Sequence, residues 1–137
     1  MIRVRLLGTG APPPIMRRFS SSTLIEVGDR KFLFDAGRGA LQRLMHLQIP
    51  WREVDGLFLT HLHSDHVVGI PHLWLTGSLI GERQVPLPVW EPRGTKRMIS
   101  HLKQAYEYDI RIRLYDDRAH PDGVVILAED ITEGVSI

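Results

Sequence analysis

The 137-residue chain carries 43% hydrophobic and 24% charged residues with a formal net charge of +1, the balance of one globular domain with a modest core. Near-neutrality gives no general polyanion-binding signature, so an anionic partner must be met locally. The absence of cysteine excludes both a disulfide framework and a thiolate ligand or nucleophile. No apolar run is long enough to span a bilayer and Met1-Ile2-Arg3-Val4-Arg5 opens directly into a strand pattern, so no membrane partner is expected and a cytoplasmic setting is.

Ile2 to Leu7 alternates apolar and basic residues and predicts a strand with Ile2, Val4 and Leu6 inward. Gly8 to Pro14 is a loop by composition, its glycines permitting close backbone approach or positive φ. Ser22–Val27 and Lys31–Phe34 predict two strands of a hairpin around Gly28-Asp29-Arg30, the second ending on Asp35-Ala36-Gly37. Between Gly39 and Gln48, Leu41, Leu44 and Met45 fall at helical spacing. Gly56–Leu59 is continuously apolar, which predicts a strand buried on both faces. A Trp74-containing segment leads to a strand at Val85–Trp90. A helix follows over Thr95–Tyr106, with Thr95 as N-cap and Met98, Leu102 and Ala105 on one face. A last strand is expected at Val124–Leu127, and Gly134-Val135-Ser136-Ile137 reads as a turn opening one more. Strands alternating with helices after an initial meander predict an α/β layer structure with ligands at strand ends.

Directly behind the Gly56–Leu59 strand stands Thr60-His61-Leu62-His63-Ser64-Asp65-His66, three imidazoles and a carboxylate within six residues. Neutral imidazole nitrogen and carboxylate oxygen suit a borderline cation such as Zn²⁺, at which water becomes a nucleophile near neutral pH. In extended backbone, side chains two apart share a face, so His61 and His63 can clamp one ion while Leu62 turns into the protein. Asp65 and His66 lie where the chain leaves the strand for a helix through Val67 to Pro71, within reach of a second ion. Asp65 is also a candidate proton acceptor from the attacking water. The competing reading of Asp65 is a helix cap. Arg17 and Arg18 follow the proline loop, where a guanidinium can pair with a phosphate or sulfate oxygen; a solvated arginine pair is the alternative. Trp74 and Trp90 read as core or inter-layer packing, and His46, His72, His101 and His120 as surface or structural residues.

The His-x-His-x-Asp-His run at His61, His63, Asp65 and His66 resembles the signature of the metallo-β-lactamase superfamily of metal-dependent hydrolases. Leu7-Gly8-Thr9-Gly10, Pro12 to Pro14, Ser21-Ser22, Phe34-Asp35-Ala36-Gly37, Gly69-Ile70-Pro71 and Pro92-Arg93-Gly94-Thr95 are similar to its ribonuclease Z-like and arylsulfatase-like branch. The resemblance implies an αββα sandwich of two similar halves, each a mixed sheet with covering helices, of which residues 1–137 supply the N-terminal half. It implies two zinc ions in the complete domain, with manganese or iron as alternatives, and further ligands from beyond this sequence, so that the chain alone is empty or partly loaded. It also implies that Asp35 supports a metal-bound imidazole through the ring's other nitrogen, against a plain reading as a turn former before Gly37.

The expected function is hydrolysis of an anionic ester: a phosphodiester such as an RNA 3′ end, or a sulfate or small phosphoester. Near-neutral charge does not itself favour RNA. The alternative is a non-catalytic half-domain that pairs with a second copy or with a separate C-terminal half, because its inner sheet face would otherwise expose a large apolar patch.

Overall fold

A computed structural model of the chain describes residues 1–116 and 119–131. Six strands form one mixed sheet in chain order: β1 (Ile2–Gly8), β2 (Ser22–Val27), β3 (Arg30–Phe34), β4 (Gly56–Phe58), β5 (Leu87–Glu91) and β6 (Ile126–Asp130). β1, β2 and β3 pair antiparallel, whereas β3 through β6 run parallel. The antiparallel meander needs only a tight turn between β2 and β3, with Gly28 at φ 60° and Val27 facing Arg30. Parallel neighbours require crossovers, and the helices α1 (Ala40–His46), α2 (Ser64–Val67), α3 (Ser78–Ile80), α4 (Thr95–Ala105) and α5 (Glu107–Tyr115) lie in those connections. A π-helical run, His72–Gly77, leads into α3.

The register explains where the core sits. Leu24, Leu33, Leu57, Val89 and Ile126 project to one face and pack against Leu41, Leu44, Leu73, Trp74 and Ile99 from the helical layer in one continuous cluster. Trp74 is buried in it, its indole N–H donating to the Val124 carbonyl at 2.8 Å. The alternate positions line the opposite face, where Phe34 stacks on Phe58 at 4.9 Å and Phe58 on Trp90 at 4.7 Å between ring centroids.

Among the described residues that second face carries no helical layer, which corrects two expectations. Ile2, Val4 and Leu6 point onto it and are 69%, 58% and 69% exposed; the residue of β1 that enters the core is Leu7, after a register irregularity between Leu6 and Gly8. Phe58 is likewise only half-buried, its ring stacked between Phe34 and Trp90, so β4 is not buried on both faces. Gly56 leaves the space that the Trp90 ring fills on this face.

Further differences are local. Thr95 is the first helical residue and not the cap: Gly94, at φ 119°, occupies that position, a conformation glycine adopts without strain. In α4 Ile99 is buried and Ala105 exposed, and in α1 Met45 faces solvent. β5 and β6 start two residues later than expected, a 3₁₀ turn over Pro121–Val124 preceding β6. The expectation for residues 134–137 lies outside the described residues.

Arg83, between α3 and β5, is 2% exposed and donates to the carbonyls of Trp51, Val54, Val85 and Pro86 at 2.8–3.1 Å. Burial pulls its pKa below the usual arginine range. Four carbonyl acceptors replace the water it loses, and the side chain pins the loop that feeds β5 to the one that feeds β4.

Candidate metal centre

Two parallel neighbours, β3 and β4, deliver the site from their carboxyl ends, where an open parallel sheet leaves backbone and side chains free to converge. β3 ends at Phe34, directly before Asp35, and β4 ends at Phe58, so the chain reaches Thr60 to His63 as an irregular segment and not as strand. α2 then opens at Ser64, three residues earlier than the sequence suggests. His63 has φ −65° and ψ 146° just before this helix, and no side chain caps it. Asp65 is therefore not a helix cap.

The turn after β3 and α2 are locked together by backbone. The Ala36 N–H donates to the His66 carbonyl at 2.7 Å, and the Gly69 N–H donates to the Ala36 carbonyl at 2.8 Å. A Cβ at Gly37 or Gly69 would strike the opposing main chain, so Asp35-Ala36-Gly37 and Gly69 are a contact surface as much as turn residues. This close approach sets His66 against Asp35.

Asp35 is the hub. It is buried and adopts φ 61°, a left-handed conformation that aspartate tolerates better than most residues. Its carboxylate accepts the Thr60 N–H at 2.9 Å, the Thr60 hydroxyl at 2.9–3.0 Å and His66 Nδ1–H at 2.7 Å, with Ser21 Oγ at 3.5 Å. An ionised carboxylate only accepts, so Nδ1 of His66 carries the proton and Nε2 keeps its lone pair. Asp65, also buried, places Oδ2 3.6 Å from that Nε2.

The three imidazoles form one group. The His61 ring lies 4.0 Å from that of His66 and 4.6 Å from that of His63, centroid to centroid. His61 Nε2 and His63 Nδ1 face each other at 3.1 Å. Two nitrogens bound to one tetrahedral ion at ~2.0–2.1 Å would be roughly 3.3 Å apart, so this pair fits the edge of such a coordination shell. His66 Nε2 and the Asp65 carboxylate form a second pair of donors beside it. Among the described residues, no three His, Asp or Glu side chains make a complete metal cage. The donors fall into two pairs, His61 with His63 and Asp65 with His66.

The remaining candidates stand apart from this cluster. Arg17 and Arg18 lie in an exposed turn and form no side-chain hydrogen bond or ion pair among the described residues. His46, His72, His101 and His120 are exposed, and His120 Nδ1 accepts the Asp122 N–H at 3.2 Å. Gly8 and Gly10 have ordinary φ; a Cβ at either would collide with the main chain at Ser20 or Phe19, so their role is close approach within the loop. Thr60 is the residue that sequence reasoning left without a task. Its signal was a hydroxyl immediately before the first histidine.

The sheet, the one-sided helical layer and a histidine cluster at the strand ends define the first half of a metallo-β-lactamase fold. The metallo-β-lactamase fold protein YhfI of Bacillus subtilis superposes over 96% of this chain and 47% of its own, with TM-score 0.69 at 21% identity. The short form of human tRNase Z superposes over 97% of this chain and 46% of its own, with TM-score 0.74 at 27% identity. Ribonuclease Z of Mycolicibacterium gilvum is 40% identical over 98% of this chain and 48% of its own length. The family model for Anti-Pycsar protein Apyc1 matches residues 2–111, and the chain belongs to that family. It spans about half the length of the curated relatives it matches.

Proposed function

We propose that this chain is the metal-binding half of a metal-dependent hydrolase that cleaves an anionic ester, an RNA phosphodiester first among them. The observation that carries the reading is the facing pair His61 Nε2 and His63 Nδ1 at 3.1 Å beside a His66 whose Nε2 is freed by Asp35. His61 and His63 would hold one ion, and Asp65 and His66 the other. Such ions supply Lewis acidity to the ester oxygens and make water a competent nucleophile near neutral pH. This chain's own residues would set the geometry: Asp35 holds His66, and the Asp65 carboxylate would orient the attacking water and take its proton. The phosphodiester is favoured over sulfate and small phosphoesters because ribonuclease Z is 40% identical to this chain. Net charge of +1 gives no wide electrostatic footprint, so RNA would be gripped at few phosphates.

The test is elemental analysis of the chain after zinc, manganese or iron loading, followed by hydrolysis assays. The substrates are bis(p-nitrophenyl) phosphate, p-nitrophenyl sulfate and a tRNA precursor with a 3′ trailer. Partial metal uptake with weak phosphodiester turnover is expected, two donors per ion being fewer than a catalytic zinc usually has. A chain that takes up no divalent metal overturns the proposal.

The uncovered sheet face favours a second reading, in which the chain works only when paired. Ile2, Val4, Leu6, Phe34, Phe58 and Trp90 form an apolar surface of the kind that marks an interface. Sedimentation should show self-association that Leu6→Glu diminishes, the charge being placed where the partner must dehydrate it. A chain that stays monomeric at all concentrations, before and after substitution, removes the second copy as partner and leaves a separate C-terminal half.

A further inference from the structure

Thr60 sits between the carboxylate hub and the first histidine, and its single hydroxyl proton is already committed. The Asp35 carboxylate, which can only accept, lies 2.9 and 3.0 Å from Thr60 Oγ, and the Thr60 N–H donates to it as well. Towards His61 Nδ1, 3.0 Å away on the other side, the hydroxyl therefore offers a lone pair and no proton. Nδ1 of His61 must be the donor. In a neutral ring this empties Nε2, the atom that faces His63 Nδ1 at 3.1 Å.

We propose that Thr60 is a positioning residue which fixes the tautomer of His61, relaying the polarity of Asp35 so that Nε2 presents a bare lone pair to a metal ion. Asp35 thus sets two of the three imidazoles, His66 by direct contact and His61 through the threonine hydroxyl. The proposal rests on the metal-site reading above and assigns a task to a residue that reading does not use. A neutral histidine in water prefers its proton on Nε2. A ring left to that preference would aim a proton at His63 and at any incoming cation, and the tautomer would have to change before binding. Which ring nitrogen ligates is set by the hydrogen bond that the other one makes.

Thr60 is exposed apart from its hydroxyl contacts, so the isosteric Thr60→Val leaves packing intact while removing the relay, and Thr60→Ser restores it. The experiment is long-range proton–nitrogen NMR on the ¹⁵N-labelled, metal-free chain, at a pH where its imidazoles are neutral. The zinc dissociation constant is measured beside it by competition with a chromophoric chelator. Wild type and Thr60→Ser are expected to show His61 protonated on Nδ1, and Thr60→Val on Nε2. Removing a partner that orients a ligand should weaken zinc binding by roughly 10- to 100-fold in Thr60→Val, with Thr60→Ser close to wild type.

A wild-type His61 protonated on Nε2 overturns the proposal without recourse to any variant. Thr60→Val with unchanged tautomer and affinity, or Thr60→Ser as impaired as Thr60→Val, does so too. Should wild type itself take up no zinc, the metal-site reading fails, and the NMR comparison still decides what Thr60 does to His61.

Discussion

If the proposed function holds, His63→Ala should abolish uptake of the first metal ion and take ester hydrolysis with it. The expected loss follows from the geometry of the pair. His61 Nε2 and His63 Nδ1 are 3.1 Å apart, a spacing that fits one edge of a tetrahedral shell, and no third imidazole, aspartate or glutamate would complete it among the described residues. With only two donors, neither is redundant. Groups that merely orient a ligand typically contribute 10- to 100-fold to metal affinity, so deleting a ligand should cost on the order of a hundredfold or more. His61→Ala should match it. His101→Ala provides the control, since that imidazole is exposed on α4 and makes no contact with the cluster. Zinc stoichiometry by mass spectrometry and turnover of bis(p-nitrophenyl) phosphate by the loaded chain are the two measurements. A His63→Ala chain that keeps its zinc affinity while His101→Ala loses it would place the metal elsewhere.

What the sequence shows of this site and what it hides have a common physical origin. The histidine cluster is legible because its members are neighbours in the chain: a turn leaving a buried strand cannot scatter four side chains separated by so few bonds. Asp35 is legible only through resemblance, since its partners Thr60 and His66 lie 25 and 31 residues away, and no local pattern connects them. Thr60 has the same difficulty in reverse, its task depending on a carboxylate from another strand. Arg83 is invisible to periodicity because a charged residue in a polar stretch reads as solvated, whereas four backbone carbonyls in fact receive it. The orientation of β1 failed for a different reason. Alternation identifies an apolar face but not which layer meets it, and here the apolar residues of β1 belong to the face without helices. Those residues share that face with the Phe34–Phe58–Trp90 stack, so the sheet is apolar on both faces.

Asp35 provides the sharpest separation between holding the fold and holding the metal. Asp35→Ala places alanine at φ 61°, and it strips acceptors from the Thr60 N–H, the Thr60 hydroxyl and His66. The left-handed backbone and the lost charge-assisted hydrogen bonds together should lower stability by about 3 to 5 kcal/mol. Asp35→Asn behaves differently. Asparagine accepts the left-handed conformation and keeps one carbonyl oxygen for the Thr60 N–H, so denaturant unfolding should show a loss of only about 1 to 2 kcal/mol. Its amide nitrogen, however, faces His66 as a donor where the carboxylate was an acceptor. His66 then has to accept at Nδ1 and carry its proton on Nε2, the nitrogen needed at the second ion, so metal affinity should fall by roughly 10- to 100-fold while most of the stability survives. Urea denaturation with parallel zinc titration separates the two effects. Equal stability for Asp35→Ala and wild type would show that the hub's hydrogen bonds do not stabilise the fold. Unchanged zinc affinity in Asp35→Asn would show that His66 is not a ligand, and the site would then reduce to the His61–His63 pair alone.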